Sequence, residues 1–344
     1  MIAHEKYMGR CLHLALNGGG HVAPNPLVGS VLVYNERIIG QGWHMKYGQA
    51  HAEVNCIASV KPHHRDLIPD STLYVSLEPC AHQGKTPPCT STILKEGIRS
   101  VVVGTPDPFR DVNGKGIGIL REAGVEVIVG VLENECRWQN RRFFTYQEKK
   151  RPYIHLKWAT TADGFMAGKG PGRLKITNAL TDRLVHRWRS EEMGILAGSG
   201  TVLADDPSFT TRYGWHPQPF RIVVDPQLRV HDGFRMMNDG LPTIVLNGLK
   251  DDEKGAIRWV RMGNTHISTM VDMLYQLGIQ SVLVEGGAAI LNSFLKEGLW
   301  DEAHILTNTR LSVNGGLKSP GKPAGSLKDR FLLGDDQIEF FVNS

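Results

Sequence analysis

Short apolar runs alternate with helical stretches along most of the chain, and that alternation restricts the fold to a layered α/β architecture. Tyr7 to Asn17 predicts a helix that Gly18-Gly19-Gly20 stops. Val28 to Tyr34 and Ile38 to Trp43 predict two strands paired through Asn35-Glu36. Ala52 to Ser59 predicts a helix, Thr72 to Leu77 a strand, and Thr90 to Glu96 a helix ended by Gly97. Val101 to Val103 predicts a buried strand, Gly118 to Ala123 a helix and Val125 to Val129 a strand. The pattern breaks in a charged, aromatic stretch from Arg141 to Pro152. A second series follows, with strands at Tyr153 to Trp158, Gly194 to Ala197, Arg221 to Val224, Thr243 to Leu246 and Val282 to Val284. Helices are predicted at Thr181 to Ser190, Val271 to Leu277 and Ala288 to Glu297. The chain of 344 residues is therefore expected to form two α/β domains, 1–147 and 148–344.

A hydrophobic fraction of 41% and a net charge of +4 are ordinary for a water-soluble protein that handles anionic small molecules. No Lys/Arg run is dense enough for a nucleic-acid patch. Met1 to Arg10 lacks the apolar core of a signal peptide, and no stretch approaches the roughly 20 apolar residues of a membrane helix. The sparse, odd set Cys11, Cys56, Cys80, Cys89 and Cys136 speaks against a disulfide framework. A cytoplasmic protein with metal-binding or free thiols is expected, with no nucleic-acid partner.

Two of those thiols fall into a pattern. His51-Ala52-Glu53 opens a predicted helix, Pro79-Cys80 follows a predicted strand, and Cys89 comes shortly after. One imidazole and two thiolates suit zinc and leave a fourth position for water, the mark of a catalytic rather than a structural site. Deamination needs such an activated water and a group to protonate the ring nitrogen and the departing ammonia. Glu53 suits that shuttle, beside a ligand without being one. Helix positions i and i+2 point about 200° apart, so His51 and Glu53 converge only if His51 stands at the very start of the helix. Cys80 and Cys89 are expected near a second helix N-terminus, which favours thiolates.

A lone His-x-Glu, or a lone Pro-Cys, has an ordinary structural reading; the ordered combination does not. Cys56 lies about 140° around the helix from His51 and reads as a buried thiol, as do Cys11 and Cys136. His63-His64 reads as a solvated loop pair. Gly114-x-Gly116-x-Gly118 has no strand leading into it and reads as a loop rather than a dinucleotide fingerprint. In the second half, Glu285-Gly286-Gly287-Ala288 lies between strand and helix, and Ala197 to Thr201 also follows a strand. Glycines there let a phosphate approach helix N–H groups, although a plain tight turn fits equally on local grounds.

Pro24 to Gly29, Gly42-Trp43-His44, His51-Ala52-Glu53, Glu78-Pro79-Cys80 and Gly84 to Cys89 resemble the deaminase domain of the RibD family of bifunctional riboflavin biosynthesis proteins. The resemblance implies a cytidine-deaminase-like three-layer α/β/α domain that deaminates a diaminopyrimidinone ribosyl phosphate. It implies Zn²⁺ on His51, Cys80 and Cys89, with Asn25, His44, His82 and Lys85 in the substrate pocket. Lys157, Ala162-Asp163-Gly164, Thr201 to Pro207, Arg212, Arg221 to Asp225 and Glu285-Gly286-Gly287 resemble the same family's reductase domain, which is similar to dihydrofolate reductase. That half implies NADPH as hydride donor. Carried over by position, Ala159, Thr201, Asp205, Gly286 and Gly287 are implied cofactor contacts. Arg173, Arg189, Phe209, Arg212 and Glu285 are implied substrate contacts. A homo-oligomer is expected. Arg173-Leu174-Lys175 departs from the Ser-x-Trp seen in many members, and Thr307 to Lys322 matches poorly.

Rival readings are a base deaminase acting on nucleic acid, an active deaminase joined to a degenerate reductase, and a zinc-stabilised binding protein. The last requires a fourth protein ligand, for which only His82 is close enough in sequence.

Overall fold

The computed structural model describes residues 2–81, 87–109, 113–170, 172, 174–214 and 218–343, which form two compact units, 1–149 and 150–344. His82, Lys85 and Arg173 lie outside the described residues.

The first unit runs α1 (Ile2–Ala15), β1 (Gly29–Tyr34), β2 (Arg37–Trp43), α2 (Ala52–Ala58), β3 (Thr72–Val75), α3 (Cys89–Lys95), β4 (Ser100–Val103), α4 (Lys115–Glu122), β5 (Glu126–Val129), α5 (Glu133–Gln139) and α6 (Arg141–Lys149). The sheet order is β2-β1-β3-β4-β5, antiparallel around β1 and parallel from β3 to β5. Alternation sends Val31, Val33, Tyr74 and Val102 to one face, against Met8, Cys11 and Leu14 of α1 and Cys136 of α5. Leu32, Leu73, Val75, Val101 and Val103 go to the other, against Ile57 of α2, Ile93 of α3 and Leu120 of α4. Three α/β/α layers result. Cys11, Cys56 and Cys136 are buried packing thiols.

One expectation needs correcting. The Gly114-x-Gly116-x-Gly118 segment is not a loop: Gly114 is the N-cap of α4, at φ 77°, and the other two glycines are helical. The charged stretch from Arg141 to Pro152 opens with helix α6, and the two units divide within it, after Lys149. His63 and His64 stand in a 3-10 turn (Pro62–Leu67), their ring centroids 4.2 Å apart.

The second unit runs β6 (Tyr153–Thr160), β7 (Phe165–Ala167), α7 (Ala179–Glu191), β8 (Gly194–Gly198), α8 (Ser199–Asp205), β9 (Phe220–Val224), α9 (Arg235–Asn238), β10 (Thr243–Asn247), β11 (Asp252–Lys254), β12 (Ile257–Arg261), α10 (Ile267–Gln276), β13 (Ser281–Val284), α11 (Ala288–Glu297), β14 (Glu302–Asn308), β15 (Leu317–Lys318), β16 (Ser326–Leu333) and β17 (Asp336–Val342). Ten strands form one sheet in the order β11-β12-β10-β9-β8-β13-β6-β14-β17-β16. Neighbours from β12 to β14 are parallel, and antiparallel pairs close both ends. Ile154, Leu156, Trp158, Ile222 and Ile305 pack on α10 and α11, with Phe294 fully buried. On the opposite face α7, α8 and α9 cover Leu283, Ala197 and Val223. Asn178 caps α7 by accepting from Leu180 N and Thr181 N, while its amide donates to Leu333 O on β16 at 2.6 Å.

Candidate functional site

His51 is the N-cap of α2, at φ −75° and ψ 169°. Its extended backbone swings the imidazole away from the helical spiral, so that it shares a site with Glu53 in the first turn. Cys89 is the first residue of α3, and its N–H donates to Cys80 Sγ at 3.3 Å. Nδ1 of His51 lies 3.5 Å from Cys80 Sγ and 3.4 Å from Cys89 Sγ. Zinc bonds of about 2.3 Å to sulfur and about 2.0–2.1 Å to nitrogen, at a tetrahedral angle, place those atoms roughly 3.5 Å apart. The donor set and its spacing fit zinc, and among the described residues the group comprises these three side chains.

Glu53 is 3% exposed, and burial, with the Cys80 sulfur second, pushes its carboxyl up to about 7. The Cys80 thiol is pulled down to about 4, first by the hydrogen bond from Cys89 and then by His51. His44 stands beside the set, its ring centroid 5.3 Å from that of His51. Its Nδ1 lies 3.1 Å from Ala50 O and its Nε2 3.1 Å from Asn25 Nδ2. A carbonyl only accepts, so Nδ1 carries the proton and Nε2 accepts from the Asn25 amide. Burial lowers the pKa of His44, which keeps this ring neutral.

In the second unit β8 and β13 are neighbours, so the turns that follow them lie side by side. Gly198 N donates to Gly286 O at 3.1 Å across them. Gly286 has φ 124°, a conformation open to glycine, and a Cβ at Gly287 would stand 3.2 Å from Thr201 Oγ1. Gly287 caps α11, whose first-turn N–H groups have no intrahelical acceptor. This glycine-floored cradle at a helix N-terminus fits the phosphates of a dinucleotide. Ala159 lies on β6 and Asp205 is exposed at the end of α8.

Arg189 and Glu285 face each other in a two-pronged ion pair with N···O distances of 2.5 and 2.7 Å. Arg189 also donates to Thr210 O and lies 5.9 Å from the Phe209 ring centre; Lys157 Nζ is 3.9 Å from Glu285. Burial alone would raise the Glu285 carboxyl, but Arg189 and Lys157 outweigh it and hold the group at about 2. Arg212 is exposed. Sequence reasoning missed His186, which sits three residues before Arg189 on the same face of α7. Burial, then Arg189 and Arg212, depress it to about 4, so it is neutral at pH 7. The i, i+3 spacing was the available signal.

A second cluster of donors belongs to the core of this unit. His155 Nδ1 lies 3.2 Å from Glu192 and 3.3 Å from Glu302, and its Nε2 is 2.8 Å from His304 Nδ1. The nitrogen pair is at hydrogen-bond spacing, shorter than the roughly 3.4 Å of two nitrogens on one tetrahedral zinc.

Fold and site together define a two-domain enzyme, a zinc-dependent deaminase followed by a reductase. The family model for the cytidine and deoxycytidylate deaminase zinc-binding region matches residues 1–105, and that for the RibD C-terminal domain matches residues 152–311. The riboflavin biosynthesis protein RibD of Aquifex aeolicus is 38% identical, covering 98% of each chain. That of Bacillus amyloliquefaciens is 38% identical over 88% of this chain and 83% of its own. A solved deaminase/reductase from Thermotoga maritima covers 100% of this chain and 99% of its own at TM-score 0.91 and 33% identity. The chain belongs to the RibD family, the bifunctional deaminase–reductases of riboflavin biosynthesis, whose cofactors are zinc and NADPH.

Proposed function

We propose that the first unit deaminates 2,5-diamino-6-(5-phosphoribosylamino)pyrimidin-4-one to the corresponding uracil, and that the second reduces the ribosyl chain of that product to ribityl. The observation that carries the reading is one imidazole and two thiols at 3.4–3.5 Å with a buried carboxyl beside them. The names of the similar Thermotoga maritima enzyme's two activities point to the same pair of substrates.

His51, Cys80 and Cys89 would hold zinc, which supplies Lewis-acid activation of water. Glu53 would take one proton from the attacking water and deliver it to the pyrimidine ring nitrogen. It would then take the second from the hydroxyl added to the ring carbon and pass it to the amine, which leaves as ammonia as the C–N bond breaks and the carbonyl forms. A carboxyl that burial tunes towards neutrality can both accept and donate near pH 7. Asn25 and neutral His44 present a fixed pair of polar groups to the ring, and His82 and Lys85 complete the proposed pocket. In the second unit Gly286, Gly287, Thr201, Ala159 and Asp205 would hold NADPH, which supplies hydride. Arg189, Arg212, Arg173, Phe209 and Glu285 would seat the ribosyl phosphate, with Glu285 fixing the guanidinium of Arg189 and His186 kept uncharged behind it.

No helix among the described residues is long and apolar enough to cross a membrane. All five cysteines are free, which supports a cytoplasmic setting. The exposed edge strand β16, with Leu327, Phe331 and Leu332 at its surface, supports a homo-oligomer. A coupled assay tests the function: ammonia release from the diaminopyrimidinone, then NADPH oxidation that requires the deaminated ribosyl compound. Ammonia release with no NADPH oxidation would mean that the second unit is degenerate.

A further inference from the structure

Glu78 ends the segment that leaves β3, two residues before Cys80. Its side chain is 4% exposed, and all four of its hydrogen-bond donors are backbone N–H groups. Oε2 accepts from Asp107 N at 3.1 Å and Gly114 N at 2.9 Å, and Oε1 from Gly116 N at 2.9 Å and Ile117 N at 3.2 Å. Three of these four N–H groups belong to the start of α4, where backbone donors and the helix dipole favour an anion. The carboxylate thus fills, from within the chain, the kind of place that a phosphate takes at other helix N-termini. This accounts for the glycine spacing that no dinucleotide site explains. Gly114 supplies the left-handed cap, at φ 77°, and a Cβ at Gly116 would stand 2.0 Å from Pro79 O.

These contacts converge on one peptide. Glu78 N donates to Thr105 O at 3.0 Å, the Glu78 carboxylate grips α4, and the Pro79 carbonyl rests against Gly116. Pro79 is bonded to Cys80, whose far side is also held: Thr90 N and Thr90 Oγ1 both donate to Cys80 O at 3.3 Å. Cys80 therefore sits between two anchored helix starts.

We propose that Glu78 is a positioning residue for the metal site, an internal anion that seats the Pro79-Cys80 peptide on α4 and so fixes the Cys80 thiolate. The inference rests on Cys80 being a zinc ligand. Gln in place of Glu78 keeps the volume but removes the charge and sets an NH₂ group against backbone N–H donors. Glu78→Gln is therefore expected to weaken zinc binding by about tenfold or more in chelator competition, the size typical of residues that orient metal ligands. It should also alter the thiolate charge-transfer bands of the cobalt-substituted protein. NADPH-dependent turnover of the deaminated substrate by the same full-length variant should stay at the wild-type level, which reports an intact second unit. Gly116→Ala pushes the same peptide from the other side and is expected to weaken zinc binding in the same way. Wild-type zinc affinity and cobalt spectrum in Glu78→Gln would overturn the proposal, as would wild-type affinity in a folded Gly116→Ala. Cys80→Ser separates the two ideas. If it too kept wild-type affinity, the ligand assignment would fail; if it lost zinc while Glu78→Gln did not, only the positioning role would fail.

Discussion

One residue separates His51 from Glu53, and the extended backbone at the cap of α2 lets both reach the same site. Glu53→Gln keeps shape and burial but cannot carry a proton. It is expected to retain zinc while ammonia release falls by at least about 10²-fold. Metal analysis and an ammonia assay check this, and activity within a few-fold of wild type would assign the proton to another group. In the second unit the Glu285 carboxyl is held at about 2, against roughly 4.3 when unfolded. A depressed carboxylate stabilises the fold above its unfolded pKa, so that stability is whole above about pH 4.3 and drains away as pH falls towards 2. Arg189→Met removes the main partner of a buried charge and should cost about 3–5 kcal/mol at pH 7 in urea denaturation. The His-x-Glu and Pro-Cys pieces were readable in sequence because ligand chemistry limits which residues can serve. The role of Glu78 was not, because it depends on which helix start the fold brings to it, and His186 left only its i, i+3 spacing from Arg189 as a signal.

Caps and edges decide how the elements hold together. Asn178 closes the first turn of α7 and reaches the β16 backbone, so Asn178→Ala should cost about 1–2 kcal/mol, read from the denaturation midpoint at unchanged slope. A loss below a few tenths would mean that the cap is unused in solution. Most elements with apolar periodicity were legible in the sequence, β1 to β5 and α2 among them. β14 and β17 were missed although their burial is high, and several other missed elements share a cause. β16 is Ser-Leu-Lys-Asp-Arg-Phe-Leu-Leu and is almost wholly exposed, so no buried face imprints a period on it. β11 is Asp-Glu-Lys and wholly exposed at the far edge of the sheet, β12 beside it sets Arg258 and Arg261 among apolar residues, and α5 and α6 are rich in Arg and Glu. Gly114 and Gly116 signal a loop in sequence, yet here they open a helix because a carboxylate occupies its N-terminus.

At the scale of the molecule the two activities have separate requirements. The chain should bind zinc near one per molecule, since the His155–His304 pair stands at hydrogen-bond spacing. Removing the metal with a chelator should abolish ammonia release and leave NADPH oxidation on deaminated substrate unaltered. Loss of both activities together would contradict that separation.

Strand order also has a temporal side. β6, the first strand of the second unit, lies between β13 and β14, and β17 lies between β14 and β16. A ribosome releases these strands in an order unlike their final neighbourhood, so the reductase sheet cannot be completed until β17 has emerged. The deaminase sheet has all its strands within residues 29–129 and can close while translation continues. A message cut short near residue 311 would yield a finished metal-binding half tethered to a sheet missing its last two strands, and such a product is expected to aggregate rather than work at half capacity.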